Sequence, residues 1–225
     1  MILLTNQAEY LPNINFFHRM KYTNKCIIAD DIQFSKHSPV NRTKIMTPQG
    51  ISWLTVPVLT KNKANQLIKD VKIIRESNWK NKHCKTIYHN YKTAPYFEYY
   101  EPYLRQMYNK NWTYLIDLNV TFIEIFKGLL KIDTDLILSS TLNIPGKGNE
   151  KIINIIKQTG CDRYLTDSCY IDYLDASLFQ KHNIKLVYSD FKRSGFTAKD
   201  PDNSISDISI LHFLFYKGPE LGITV

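Results

Sequence analysis

The sequence predicts an α/β protein: a Rossmann-like, mostly parallel sheet flanked by helices, with a β-hairpin and a helical subdomain inserted into it. Three observations carry this. Residues 1–34 read strand, helix, strand. The stretch from residue 132 onward alternates in the same way, as βα units do. The block between, residues 43–131, breaks the alternation with two apolar segments around a turn and then a run of helices. A length of 225 residues suits one domain, 1–225, that contains this insertion.

The elements follow in order. "MILLTN" is a short apolar run ended by polar groups, a buried-strand signal. In "LPNINFFHRMKY", Leu11, Ile14, Phe17 and Met20 recur at helical spacing, and Pro12 suits a first turn. "KCIIADDIQF" reads as a second strand, apolar on both faces as parallel strands are. "KIMTPQGISWLTVPVL" reads as a hairpin around "TPQG", and "LIKDVKII" as a further strand. Trp79, His83, Ile87 and Tyr91 stand at steps of four in a helix that Pro95 ends. "YFEYYEPYLRQMYNK" follows. After it, Leu115, Leu118, Phe122, Ile125, Phe126 and Leu129 mark an amphipathic helix. "TDLILSST", "CDRYLTD" and "IKLVYSDF" are strands, and "GNEKIINIIKQTG" is a helix stopped by Gly160. "YLDASLFQKHN" is a short helix. "SISDISILHFLFYKGPE" is the last, with Ser204 or Ser206 as its N-cap and Gly218 as its stop.

Composition narrows the classes. Hydrophobic residues at 44% and charged residues at 22% are those of a globular chain, which excludes extended disorder. A net charge of +8 suits phosphate-bearing partners and equally a lysine-rich solvated surface. The four cysteines show no C-x-x-C spacing, so a zinc ribbon or redox pair is not expected. No apolar run is long enough to span a membrane. "MILLTNQAEY" lacks the pattern of a signal peptide, so the expectation is a cytoplasmic protein with reduced thiols. The six histidines form no paired spacing, and neither a metal nor a cofactor is expected.

Chemistry concentrates where strands end. Asp30 and Asp31 follow the second strand, at the edge where open α/β sheets bind ligands. Gln33, Lys36, His37, Asn41 and Arg42 come next. Carboxylates there can orient an amine or a sugar hydroxyl, and Lys and Arg can hold a phosphate. An Asx turn with surface ion pairs accounts for the same residues. Gln7 and Tyr10 belong to the edge after the first strand. Trp79, Lys82 and His83 share one helical face, with His83 a general-base candidate and Cys84 a weaker nucleophile candidate beside it. Ser139, Ser140 and the Gly146-Lys147-Gly148 loop precede a helix and suit a phosphate cradle, without P-loop spacing.

Together the segments "QAEYLPNINFFHRM", "DDIQFSKHSPVNRTKI", "GISWLTVPV", "NWKNKHCKTIYHNYKTAPYFEYY" and "FLFYKGPE" resemble the WbqC family of bacterial proteins, found with O-antigen, lipopolysaccharide and other surface-polysaccharide genes. The resemblance runs over nearly the whole chain. Gln7, Tyr10, Asp31, Gln33, Lys36, Asn41, Arg42, Trp53, Lys82 and His83 fall on its pattern. Two positions depart from it: Asn6 stands for the family's histidine and Ala8 for its first proline.

The resemblance implies an N-acyl or aminoacyl transferase, glycyl transfer being one form, acting on a nucleotide-linked amino-dideoxy sugar. On that reading Asp30 or Asp31 orients the sugar amine and His83 takes its proton. Arg42, Lys36 and Lys82 hold the pyrophosphate. Gln7, Tyr10, Gln33, Asn41, Trp53, Trp79, Ser139 and Ser140 line the substrate. The donor is an aminoacyl-tRNA or a small acyl thioester. Two other classes stay open: a nucleotidyltransferase or ATP-using ligase, and a non-catalytic binding subunit of a polysaccharide assembly.

Overall fold

A computed structural model describes residues 1–61, 63, 65–189 and 207–219. Its main sheet is built from β1 (Ile2–Gln7), β2 (Lys25–Ala29), β5 (Asp135–Leu138), β6 (Arg163–Asp167) and β7 (Lys185–Ser189), in the spatial order β5-β2-β1-β6-β7. Every pairing is parallel. The chain winds outward from β1 through β2 to β5, then crosses to the other side of β1 for β6 and β7. The winding therefore reverses between β1 and β6, and the carboxyl ends of those two strands form the switch point where such sheets leave a crevice.

The strands read apolar on both faces because both faces are covered. Leu4 of β1, with Cys26 and Ile28 of β2, enters one core cluster, while Leu3 and Ile27 enter the other. Period-two alternation sends neighbours to opposite sides. The second cluster packs under α6 (Gly148–Gln158) and α7 (Ala176–Lys181) through Ile153, Ile156 and Phe179. The first is larger. It takes in α1 (Ile14–Lys21), the antiparallel hairpin β3 (Arg42–Thr47) with β4 (Gly50–Thr55), and the helices α2 (Trp79–Tyr91), α3 (Phe97–Asn109), α4 (Leu115–Leu129) and α8 (Ile210–Lys217).

Four expectations are corrected. Helix α1 begins after Pro12, because the Asn13 side chain accepts from the Phe16 amide at 3.1 Å and caps it. Strand β2 stops at Ala29, and "SST" leaves β5 to open the short α5 (Ser139–Leu142), for a reason given by the Asp30 carboxylate below. "LIKDVKII" is not a strand. It makes a 3₁₀ turn at Ile68–Asp70 and isolated bridges to three different segments, at Gln33, Val58 and Tyr114, so no single edge is open to it. The N-cap of α8 is Ser209, whose hydroxyl accepts from the Leu211 amide; Ser204 and Ser206 lie outside the described residues.

The loop after β1 is held from every side. Asn119 of α4, fully buried, donates to the Ala8 carbonyl at 2.7 Å and to the Val40 carbonyl at 2.8 Å. The Tyr10 amide donates to Pro39, the Thr43 hydroxyl to the Leu11 carbonyl, and the Ile210 amide to Pro12. Leu11 takes a left-handed φ of +44°, a strained state for a branched residue that persists only where its neighbours over-determine it.

Candidate functional site

A cleft of about 420 Å³ opens at the switch point. Asn6, Gln7 and Glu9 enter it from β1 and the loop that follows, and Arg19 from α1. Across from them stand Gly148 and Asn149, the first residues of α6, with Tyr170 and Tyr173 at the rim. The volume is that of a small-molecule site.

Three features give the cleft its chemistry. The first is the N-terminus of α6. No side chain among the described residues caps it, so its leading amides keep unfilled donor capacity at the positive end of the helix dipole. The second is the Asn6–Arg19 pair. Asn6 is 8% exposed, and its Oδ1 accepts from Arg19 Nη2 at 3.2 Å. Asn6 Nδ2 and Arg19 Nε are buried and have no partner among the described residues, while Arg19 Nη1 faces an Asp167 carboxylate oxygen at 3.9 Å. The third is Glu9, half-buried on the over-determined loop. Burial pushes its carboxyl up to about 7, against the nearby Arg19 cation and with a small addition from Asp207. A carboxyl at that value exchanges a proton readily near neutral pH.

The aspartates singled out by the sequence bond the segments that follow β5. Asp30, 1% exposed, accepts from the Ser139 hydroxyl at 3.0 Å, the Ser140 amide at 2.9 Å and the Ser140 hydroxyl at 2.6 Å. It ties the end of β2 to the start of α5, which is why both strands stop where they do. Asp31 accepts from Ser139 and, at 2.6 Å, from Lys151 of α6. Burial works against its charge, but the Lys151 ammonium and the Ser139 hydroxyl hold its carboxyl below the usual value. Both carboxylates thus fix α5 and α6, and through α6 the wall of the cleft.

His83 sits in the helical layer. Its Nδ1 lies 2.9 Å from the Tyr10 hydroxyl, which also bonds Tyr108, and Trp79 and Tyr108 pack edge-on against its ring. Burial pushes the imidazole down to about 4, against a hydrogen bond with the Thr55 backbone. It shares no hydrogen-bond partner with Asp30 or Asp31 and does not line the cleft. Burial and the Glu101 carboxylate push the Cys84 thiol up, the reverse of an activated nucleophile.

The remaining expected residues scatter. Arg42 lays its guanidinium carbon 4.0 Å from the ring centre of Trp53, itself 45% exposed on the hairpin. Asn41 is buried and donates to the Val56 carbonyl at 3.2 Å. Gln33 donates to Asn65 at 3.1 Å, and Lys36 and Lys82 are exposed. Of the site residues named from the sequence, Gln7 and, from the expected phosphate cradle, Gly148 line the cleft. Glu9, Arg19, Asn149 and Tyr173 were missed, although Glu9 lies inside the quoted "QAEYLP" and Asn149 follows the Gly-Lys-Gly loop. Arg19 carried no signal, since a cation in the last turn of a helix is the ordinary complement to its dipole.

Comparison with known proteins adds a family. The WbqC-like protein family model matches residues 7–222. The uncharacterized protein Rv1507c of Mycobacterium tuberculosis is 28% identical over 223 residues, which cover 95% of this chain and 93% of that protein. No solved structure matches the chain. No helix among the described residues is long and apolar enough to cross a membrane.

Proposed function

The chain belongs to the WbqC-like protein family, and on that footing we propose that it transfers an acyl or aminoacyl group to the amine of a nucleotide-linked amino-dideoxy sugar held in the switch-point cleft. One observation carries the reading. A single cleft combines anion-receiving groups, the uncapped α6 N-terminus and Arg19, with a carboxyl poised near neutral pH on a rigid loop, Glu9. The first suits the phosphates of a nucleotide. The second suits an amine that must lose a proton.

In the reaction the neutral amine attacks the carbonyl carbon of the donor and a C–N bond forms. The carbonyl electrons shift to oxygen and return, and the bond to the donor's ester oxygen or thioester sulfur breaks. The proton lost by the amine passes to the Glu9 carboxylate and from there to the leaving oxygen or sulfur. Glu9 replaces His83 as the base in this reading, because the imidazole is enclosed by Tyr10, Trp79 and Tyr108. A base at Glu9 also leaves Asn6, at the position of the family's histidine, free of that role. Asp30 and Asp31 act from behind, holding the α6 wall.

The test is to incubate purified protein with dTDP- and UDP-linked amino sugars and either aminoacyl-tRNA or an acyl thioester, and to look for the N-acylated product by mass spectrometry. Glu9→Gln is expected to lower turnover about 100-fold or more while sugar-nucleotide binding persists. No product with either donor, or equal stabilisation of the protein by amino and hydroxyl sugars, sinks the reading.

A further inference from the structure

Asn6 carries a buried side-chain donor in the cleft wall that has no partner among the described residues. Its side chain has one acceptor and one donor end, and which faces where is normally ambiguous. Here Arg19 decides it. A guanidinium only donates, so the atom 3.2 Å from Arg19 Nη2 must be Oδ1. Nδ2 is left as a donor with no acceptor, in a residue more than nine-tenths buried. Arg19 Nε is a second buried donor in the same state. Across the cleft the leading amides of the 11-residue α6 have no side-chain cap.

All three groups lack the same thing, an acceptor, and the residues that carry them line one cavity. We propose that Asn6 Nδ2, Arg19 and the first-turn amides of α6 form a diphosphate site, and that the ligand is a nucleoside diphosphate with its base toward Tyr173. Helix amides and a guanidinium are the usual partners of phosphate oxygens. The rim supplies the nucleoside side of the argument: Tyr173 is 76% exposed beside Asn149, whose side chain donates to the Tyr173 carbonyl. An exposed ring offers a face to a base. Position 6 is then a phosphate ligand. This rests on the reading that the cleft takes a nucleotide-linked substrate, and it names the groups that hold it.

Asn6→Asp is the test variant. It keeps the shape and the bond to Arg19 but turns the donor into a charged acceptor. Calorimetry would use UDP, dTDP, uridine and inorganic pyrophosphate as probes, with circular dichroism to confirm the fold. UDP and dTDP affinities are expected to fall at least tenfold in Asn6→Asp while uridine binding is unchanged, and Asn6→Ala should show a smaller fall in the same direction. Unchanged UDP binding in both variants overturns the proposal, as does an equal loss of uridine. Pyrophosphate binding as tightly as UDP removes the nucleoside and points to another diphosphate carrier. If the UDP loss occurs but amino and hydroxyl sugars bind alike, the transferase reading fails and this site stands.

Discussion

Protonating His83 probes how firmly the helical layer is seated on the loop after β1. The imidazole is 6% exposed, bonded to the Tyr10 hydroxyl and walled by two aromatic rings. Burial lowers it from 6.5 to about 4. Between those values the unfolded chain binds this proton and the folded protein does not, so stability falls as the pH falls through the window. At about 1.4 kcal/mol for each tenfold change in proton affinity, that gap comes to roughly 3.5 kcal/mol in full. Glu9 works in the opposite sense. Its carboxyl is raised from 4.5 to about 7, so its contribution is fully present below 4.5 and is lost as the pH rises through 7. The wild-type curve mixes the two, and the His83 share must be read as a difference. Urea denaturation followed by circular dichroism at pH 7.5, 6.5, 5.5 and 4.5 on wild type and His83→Gln supplies it. The stability advantage of wild type over the variant should shrink by about 2.5 kcal/mol by pH 4.5, with unchanged m-values. A difference that stays constant with pH would refute the reasoning, because it would mean the folded ring takes a proton as easily as a solvated one.

Other expectations follow from the same contacts. Asp30→Ala strands the Ser140 amide and hydroxyl at the start of α5, Ser139 keeping its bond to Asp31, and should cost about 2–4 kcal/mol in urea denaturation; a loss below about 1 would mean water takes its place. Gly218→Ala meets a φ of +72° and a Tyr96 ring 3.1 Å from the new methyl, and should lower the melting temperature by the equivalent of about 1–2 kcal/mol. Trp53→Ala removes the exposed stack on Arg42 and the more distant contact with the Lys44 ammonium, so a stability loss of about 1 kcal/mol or less is expected, and a larger one would show that the hairpin face is covered in solution. Glu9→Gln removes the contribution that opposes His83, so stability should fall more steeply than in wild type as the pH drops from 6.5 to 5, and an unchanged slope in the same titration would count against the raised Glu9 carboxyl.

What the sequence by itself determined is local. Short apolar runs placed β1, β2 and the hairpin, apolar residues at helical spacing placed α2 and α4, and Gly160 marked the end of α6, because each signal reports burial or chain reversal within one short segment. The Gly-Lys-Gly loop was legible as a helix start beside the ligand edge, since Gly148 does open α6. The two aspartates stood out for their density, yet density does not reveal partners. Asp30 is claimed by Ser139 and Ser140, more than a hundred residues on, only because β5 docks beside β2. Glu9 looked like a loop residue. It becomes a cleft residue because β6 pairs on the far side of β1 and moves the switch point there, away from β2. Strand order follows from which faces of many distant segments can be buried together, a condition no short stretch contains. The tertiary structure alone therefore decided which strand ends face the ligand.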